Sequence, residues 1–146
     1  MDHIAVMYKA WGMIDKLATG QKSIESRWYG RKQAPWETIS PGDVVYFKNA
    51  GEPVTLQAQV NKIRYFSDLT PQRVHSILEQ YGGEIGIEPK QLSTFYERFK
   101  HKRYAMLIYL KNARHIPPFE IDKTGYGAMS AWISVENVDQ IRVPQR

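Results

Sequence analysis

The chain has 146 residues, 42% of them apolar and 24% charged, and these values predict a single folded domain over residues 1–146. It has no cysteine, which excludes disulfides and thiolate zinc sites. The net charge of +5 is compatible with a nucleic-acid partner without requiring one. Because no apolar run approaches the about 18 residues of a membrane span and the first residues lack a secretory signal pattern, we expect a cytoplasmic protein with no membrane contact.

The N-terminal part predicts two strands separated by a short helix. Residues 3–8 alternate weakly and indicate a first strand. Residues 9–19 carry an apolar stripe at helical spacing, and Gly20 stands where a left-handed residue would end that helix. We expect a second strand over residues 23–28.

Turn chemistry and alternation predict a bent hairpin in the next segment. The turn sequence SPGD, residues 40–43, precedes a β-rich stretch at 44–48. The loop NAGEP, residues 49–53, then connects it to an alternating strand that begins at Val54. The alternation slips phase at Asn61, which is typical of a β-bulge, and bulges bend strands around small barrels.

The C-terminal part predicts two amphipathic helices and two further strands. The first helix has Thr70 as N-cap and Pro71 at its first position, and we expect it to end at Gly82-Gly83. The second begins near Pro89, and the apolar run at 104–110 indicates a central buried strand. A final strand or short helix is expected within 125–135.

Short strands outnumber helices, so we predict an α+β fold with a small, mixed, strongly bent β-barrel and peripheral helices.

The segment GQKSIESRW, residues 20–28, concentrates mixed charges beside a tryptophan. On a strand, Glu25 and Arg27 share one face, and Lys22 stands at the joint between helix and strand. One interpretation is a solvated edge with a weak surface ion pair. The other is the wall of a site, because aromatic side chains interleaved with cations stack on and clamp unpaired bases. We favour the site.

This segment, placed after a short helix, resembles the ASCH domain of the PUA-like superfamily. The SPGD turn, the VVYFK strand, the alternating strand after it and a late return strand agree with that resemblance, which spans nearly the whole chain. It implies a small PUA-like β-barrel with a cleft lined by the motif. Related domains bind RNA, and some PUA-like relatives hold a modified base in an aromatic cage. Some ASCH proteins are amidohydrolases of N4-acetylcytidine, and ribonuclease activity has been attributed to others.

The resemblance implies two roles for the motif. The lysine of the amidohydrolase-type members falls on Lys22, but Glu25 stands where those members have threonine. They also use a glutamate from a later helix, for which Glu79 and Glu84 are both candidates. Lys22 would be the base if burial or Arg27 lowered its pKa, whereas a neighbouring Glu25 would favour the charged ammonium. The substitution therefore fits recognition of a base better than hydrolysis.

Two further segments are candidates for contact with a ligand. GYGAMSAW, residues 125–132, holds a glycine-bounded aromatic and a tryptophan that would offer stacking surfaces, or else a tight turn before a buried Trp. RFKHKRY, residues 98–104, is either a solvated helix end or a phosphate-contact patch.

We therefore expect a protein that binds RNA or a modified nucleobase or nucleoside in a charged, aromatic-lined cleft. The alternative is an amidohydrolase that deacylates N4-acetylcytidine, with Lys22 and Glu25 as catalytic residues, and a metal-independent ribonuclease ranks below it. The four histidines lack metal-ligand spacing and no Gly-rich phosphate loop is present, so we expect neither a metal nor a cofactor. A protein-interaction adaptor stays open, and the sequence does not indicate an oligomeric state. The expected binding residues are Lys22, Glu25, Arg27, Trp28, Tyr126, Ser130 and Trp132.

Overall fold

A computed structural model describes residues 1–144, in which six strands form one mixed sheet with three α-helices packed on it. The strands are β1 (Asp2–Met7), β2 (Ile24–Tyr29), β3 (Val44–Asn49), β4 (Val54–Phe66), β5 (Tyr104–Phe119) and β6 (Trp132–Val135). The α-helices are α1 (Met13–Thr19), α2 (Pro71–Ile85) and α3 (Leu92–Phe99), and short 3-10 turns occupy Lys9–Trp11, Pro89–Gln91 and Val138–Gln140. The predicted α+β class is confirmed.

The sheet curls into a half-barrel with strand order β2-β5-β4-β3-β1-β6. β1 pairs with β3 in parallel, and the other neighbours are antiparallel. The register of β4 against β5 shifts between Val60 and Lys62, which confirms the bulge predicted at Asn61. Since β2 and β6 are the two edge strands, the curled sheet has a seam between them.

The main core lies between the sheet and the helices. Residues 105–108 of β5 are fully buried, as the continuous apolar run predicted. The apolar stripes of α1 and α2 pack on this part of the sheet through Leu17, Val74 and Ile77. None of the helices within residues 1–144 has the length and apolar character that crossing a membrane requires.

Two helix boundaries differ from those predicted, and glycines explain both. The helix expected over 9–19 is divided at Gly12, whose φ of 64° is left-handed, so a 3-10 turn precedes α1. The helix α2 does not end at Gly82-Gly83 but continues to Ile85. It ends at Gly86, whose φ is 97° and whose N–H donates to the carbonyls of Gly82 and Gly83. A glycine pair inside the last turn keeps helical φ, and the following left-handed glycine is the stop.

Candidate functional site

The turn between α1 and β2 delivers Lys22 into the protein interior. Gly20 ends α1 with a φ of 85°, and the backbone N–H of Lys22 donates to the carbonyl of Lys16 at 3.0 Å. The next residue, Ser23, donates its N–H to the carbonyl of Glu84 at 2.8 Å, which fixes the start of β2 against the C-terminal end of α2. The Lys22 side chain is therefore covered by α2 and is 1% exposed.

The Lys22 ammonium has three acceptors within hydrogen-bond distance. Its Nζ donates to the carbonyl oxygens of Ile24 and Ile85, both at 2.6 Å, and lies 3.0 Å from Oε1 of Glu25. An ammonium has three N–H groups, so these contacts use all of them. Lys22 thus joins β2 to the end of α2 and holds one oxygen of Glu25.

The carboxylate of Glu25 bridges the two cations of the motif. Its second oxygen, Oε2, accepts from Arg27 Nε at 2.9 Å and lies 2.8 Å from Arg27 Nη2. The remaining guanidinium nitrogen, Nη1, reaches across the seam to the carbonyl of Ala131 at 3.4 Å. The guanidinium carbon lies 5.1 Å from the ring centre of Trp132, within the range of a cation–π contact. We call Lys22, Glu25 and Arg27 the charged triad.

Electrostatics keep the carboxylate of the triad ionised. Burial alone would raise the pKa of Glu25, but the Lys22 ammonium and the Arg27 guanidinium outweigh it and lower that pKa. Burial lowers the pKa of Lys22, and the attraction of Glu25 opposes that shift. With two cations around one anion, the charged triad carries a net charge of +1 when all three groups are ionised.

Two cavities meet at Arg27 and form one cleft along the seam. The first cavity has a volume of about 330 Å³ and the second about 340 Å³. The first is lined by aromatic rings and by the charged triad, and the second by the loop before β6. Both include the residues Arg27, Tyr29, Gln33 and Ala131 in their walls.

The predicted binding residues line this cleft with one exception. Lys22, Glu25, Arg27 and Trp28 belong to the first cavity, and Arg27, Ser130 and Trp132 to the second. Tyr126 is 40% exposed and lines neither cavity. Its carbonyl oxygen accepts a hydrogen bond from the hydroxyl of Ser130, which does line the second cavity.

Trp28 has one ring face occupied by the protein itself. Its ring stacks on Phe99 of α3 with 4.9 Å between centroids and an 8° interplanar angle. Its Nε1 donates to Ser26 Oγ at 3.0 Å. The residue is 8% exposed, so Trp28 serves the core as well as the cavity wall.

Neither candidate glutamate of the later helix lines the cleft. Glu79 is exposed on α2 and pairs with Nδ1 of His75 at 3.1 Å. Glu84 is also exposed, and it is its backbone carbonyl that contacts the motif. Within residues 1–144, no three His, Asp or Glu side chains form a group that would hold a metal ion.

Two aromatic residues of the first cavity, Trp11 and Phe95, were not singled out from the sequence. Both lie in segments for which amphipathic helices were predicted, and their rings, 5.0 Å apart, also face the cavity. Arg98, the first residue of the candidate segment RFKHKRY, lines the same cavity, and its guanidinium lies 5.0 Å from the Trp11 ring centre. An apolar stripe with three aromatic rings was the available signal, and it does not distinguish a core from a stacking wall.

A buried histidine supports the tryptophan of the second cavity. Trp132 Nε1 donates to His3 Nδ1 at 3.1 Å, so the other ring nitrogen, Nε2, carries the proton and donates to Asp43 Oδ2 at 2.8 Å. The Ser134 hydroxyl lies 2.8 Å from His3 Nδ1. Burial lowers the pKa of His3, although Asp43 opposes that shift. The neutral imidazole thus fixes the indole on which Arg27 rests.

Solved structures confirm an ASCH-like fold for this chain. An ASCH protein from Zymomonas mobilis superposes with a TM-score of 0.66 at 14% identity, over 95% of this chain and 90% of that one. The N-terminal domain of McrB from Staphylothermus marinus gives a TM-score of 0.62 at 9% identity, over 95% and 90% of the two chains. At these identities the likeness shows the fold alone. No protein-family model matches the sequence, and no curated protein matches it significantly.

Proposed function

We propose that the cleft binds a nucleobase, either in RNA or as a free and possibly modified nucleoside. The observation that supports this most is the charged triad at the wall of an aromatic cavity of about 330 Å³. That volume lies at the lower end of the range for small-molecule pockets, which suits one base rather than a larger ligand. Aromatic rings beside fixed polar groups are what recognition of an unpaired base requires.

The charges along the cleft favour an anionic ligand. Among its lining residues the cations are Lys22, Arg27 and Arg98, and the anion is Glu25. Glu25 is already shared by two cations, so the excess positive charge near Arg27 and Arg98 has no counter-ion in the wall. A nucleotide brings both the aromatic base and the negative charge that this surface lacks.

A calorimetric panel of nucleosides, nucleotides and short RNAs tests the proposal. We expect Arg27→Gln to weaken binding of the best ligand at least about tenfold, because the charge-assisted contacts of the guanidinium are lost. Arg114→Gln, on β5 and outside both cavities, is the matched control and is expected to bind as the wild type. If the wild type binds nothing in the panel at low salt, the proposal is wrong.

The amidohydrolase alternative rests on the buried lysine. Burial lowers the pKa of Lys22, as a general base requires, but its three N–H groups already have acceptors, one of them Glu25. A base must also lie within reach of the group it deprotonates, and Lys22 is 3% exposed. Turnover of N4-acetylcytidine by the wild type, abolished in Lys22→Met, would establish this alternative in place of simple binding.

A further inference from the structure

The cleft has two compartments, and the proposed base-binding function uses only the first. The second cavity, of about 340 Å³, is as large as the first and adjoins it along Arg27, Tyr29, Gln33 and Ala131. A ligand confined to one base leaves the second cavity without an occupant. We propose, on the basis of the proposed function, that the cleft binds two consecutive nucleotides of a single strand, with the phosphate between them at Arg27.

The position of Arg27 fits a linking phosphate. Its side chain belongs to the walls of both cavities, so a group at the guanidinium is adjacent to both compartments. Glu25 holds Nε and Nη2, whereas the hydrogen bond that Nη1 makes within residues 1–144 is the long one, of 3.4 Å, to the Ala131 carbonyl. The guanidinium is thereby held in one orientation with its weakly engaged nitrogen on the side of the seam. A planar, fixed guanidinium is well suited to a phosphate oxygen.

The second cavity offers apolar side chains to a second base. The indole of Trp132 lies in its wall, held at its N–H by His3 and 7% exposed, with the Arg27 guanidinium over its ring. Met129 lies at its rim with 94% of its surface exposed, the most exposed of the large apolar side chains in residues 1–144. The thioether of a flexible methionine makes favourable contacts with an aromatic ring, and a base is such a ring. This gives the exposed Met129 a role in binding the second base.

A ligand series of increasing length tests the inference. The three ligands are a nucleoside, its 3′-monophosphate and the corresponding dinucleoside monophosphate, measured by calorimetry at low and high salt. We expect the 3′-monophosphate to bind more tightly than the nucleoside at low salt, and this gain to shrink at high salt because the contact between phosphate and guanidinium is screened. The dinucleotide is expected to bind roughly tenfold tighter than the monophosphate, since stacking of one more base is added.

Substitution at the rim of the second cavity tests whether the second base lies there. Met129→Ala is expected to weaken the dinucleotide about threefold to fivefold and to change the monophosphate less than about twofold. Val143→Ala also shortens an exposed apolar side chain, but outside both cavities, and is expected to change neither. A dinucleotide that binds no tighter than the monophosphate, or a Met129→Ala variant with wild-type dinucleotide affinity, would overturn the inference and leave single-base binding intact. If none of the three ligands binds, the proposed function itself fails.

Discussion

Glu25 determines how the charges of the cleft are arranged. One carboxylate oxygen faces Lys22 and the other faces Arg27, so a single side chain compensates a buried ammonium and orients a guanidinium. The compensation of the ammonium and the orientation of the guanidinium both depend on burial, because the attraction between opposite charges is much stronger away from water than on the surface. The energetic consequence is large when one partner is removed, since the other charge stays buried without compensation.

We expect Glu25→Gln to lower the free energy of unfolding by about 3 kcal/mol, because Lys22 then lies buried beside a neutral amide. Urea unfolding followed by circular dichroism measures the change. Glu97→Gln is the matched control, since Glu97 also pairs with a lysine three positions away, Lys100, but is 64% exposed. It is expected to cost less than about 1 kcal/mol. Equal losses in the two variants would show that the triad contributes no more than a surface pair.

Part of this arrangement could be predicted from the sequence. Strand periodicity alone placed Glu25 and Arg27 on one face, and the helix–strand joint placed Lys22 beside them. The partners of Lys22 could not be predicted in this way, because one of its acceptors is the carbonyl of Ile85, from a helix 63 positions later. Tyr126 was assigned to the site because the glycines on either side of it would allow a close approach to a ligand, but it lines neither cavity.

At the scale of elements, the glycine that ends α2 lies next to the residue that contacts Lys22. Gly86 adopts a left-handed conformation directly after Ile85, the residue whose carbonyl accepts from Lys22. A Cβ at Gly86 would lie 3.1 Å from Met13 Sδ and 3.4 Å from the Cβ of Lys22. The glycine is therefore required both by its φ and by the close approach of α1 and the motif.

We expect Gly86→Ala to destabilise the protein by about 1–2 kcal/mol through the positive φ and the tight contacts. Gly83→Ala is the matched control within the same helix, where φ is helical and the space around a Cβ is open. Replacing a helical glycine by alanine is expected to stabilise by about 0.5–1 kcal/mol. Thermal or urea unfolding of both variants gives the comparison, and destabilisation of similar size in both would contradict the assigned roles.

The same glycines show how far sequence patterns define an element. The apolar stripe and the Thr70-Pro71 start predicted the beginning of α2 correctly, because capping depends on neighbouring residues only. Its end was misplaced at Gly82-Gly83 because three glycines lie within five positions. Which of them becomes left-handed depends on packing: Gly82 is buried against Ile87, whereas Gly86 fits beneath α1.

At the scale of the whole molecule, His3 connects the N-terminal strand to β6 and to the turn that precedes β3. It accepts from Trp132 of β6 and donates to Asp43, which also pairs with the N-terminal ammonium of Met1 at 3.3 Å. The charged and titratable groups that influence it are Asp43, Asp2 and that ammonium. A second proton on the imidazole would compete with the indole N–H for the same side of the ring.

The stability of the whole fold should therefore depend on pH through His3. Its folded-state pKa is lowered from 6.5, so below about pH 6.5 the unfolded chain binds a proton that the folded chain does not. Stability from this group is fully present above that pH and is lost as pH falls towards the folded pKa, at up to about 1.4 kcal/mol per pH unit. The lowered pKa values of Glu25 and Asp43 act in a separate window, below their ordinary values of 4.5 and 3.8.

Urea unfolding at a series of pH values between about 5 and 7.5 measures this slope. His3→Gln is expected to flatten the profile in that window, whatever its effect on absolute stability. His101→Gln, which replaces an exposed histidine beyond α3, is expected to keep the wild-type slope. An unchanged slope in His3→Gln would mean that the imidazole titrates alike in the folded and unfolded chains.

The overall architecture could be predicted from strand count, turn chemistry and the bulge, since each is a local property of the sequence. The seam could not, because it depends on which strands end up at the edges of the sheet. β1 separates β6 from β3, and this order requires the first strand to pair with segments from the middle and the far end of the chain.

That order has a kinetic consequence. The contact between His3 and Ser134 closes a loop of 131 positions, whereas β3 and β4 meet across a short hairpin. Contacts that are distant in sequence form slowly, because the entropy of closing the loop is lost before the contact stabilises anything. During synthesis the second cavity cannot assemble until β6 has left the ribosome, so any affinity that depends on this cavity would appear only after that point.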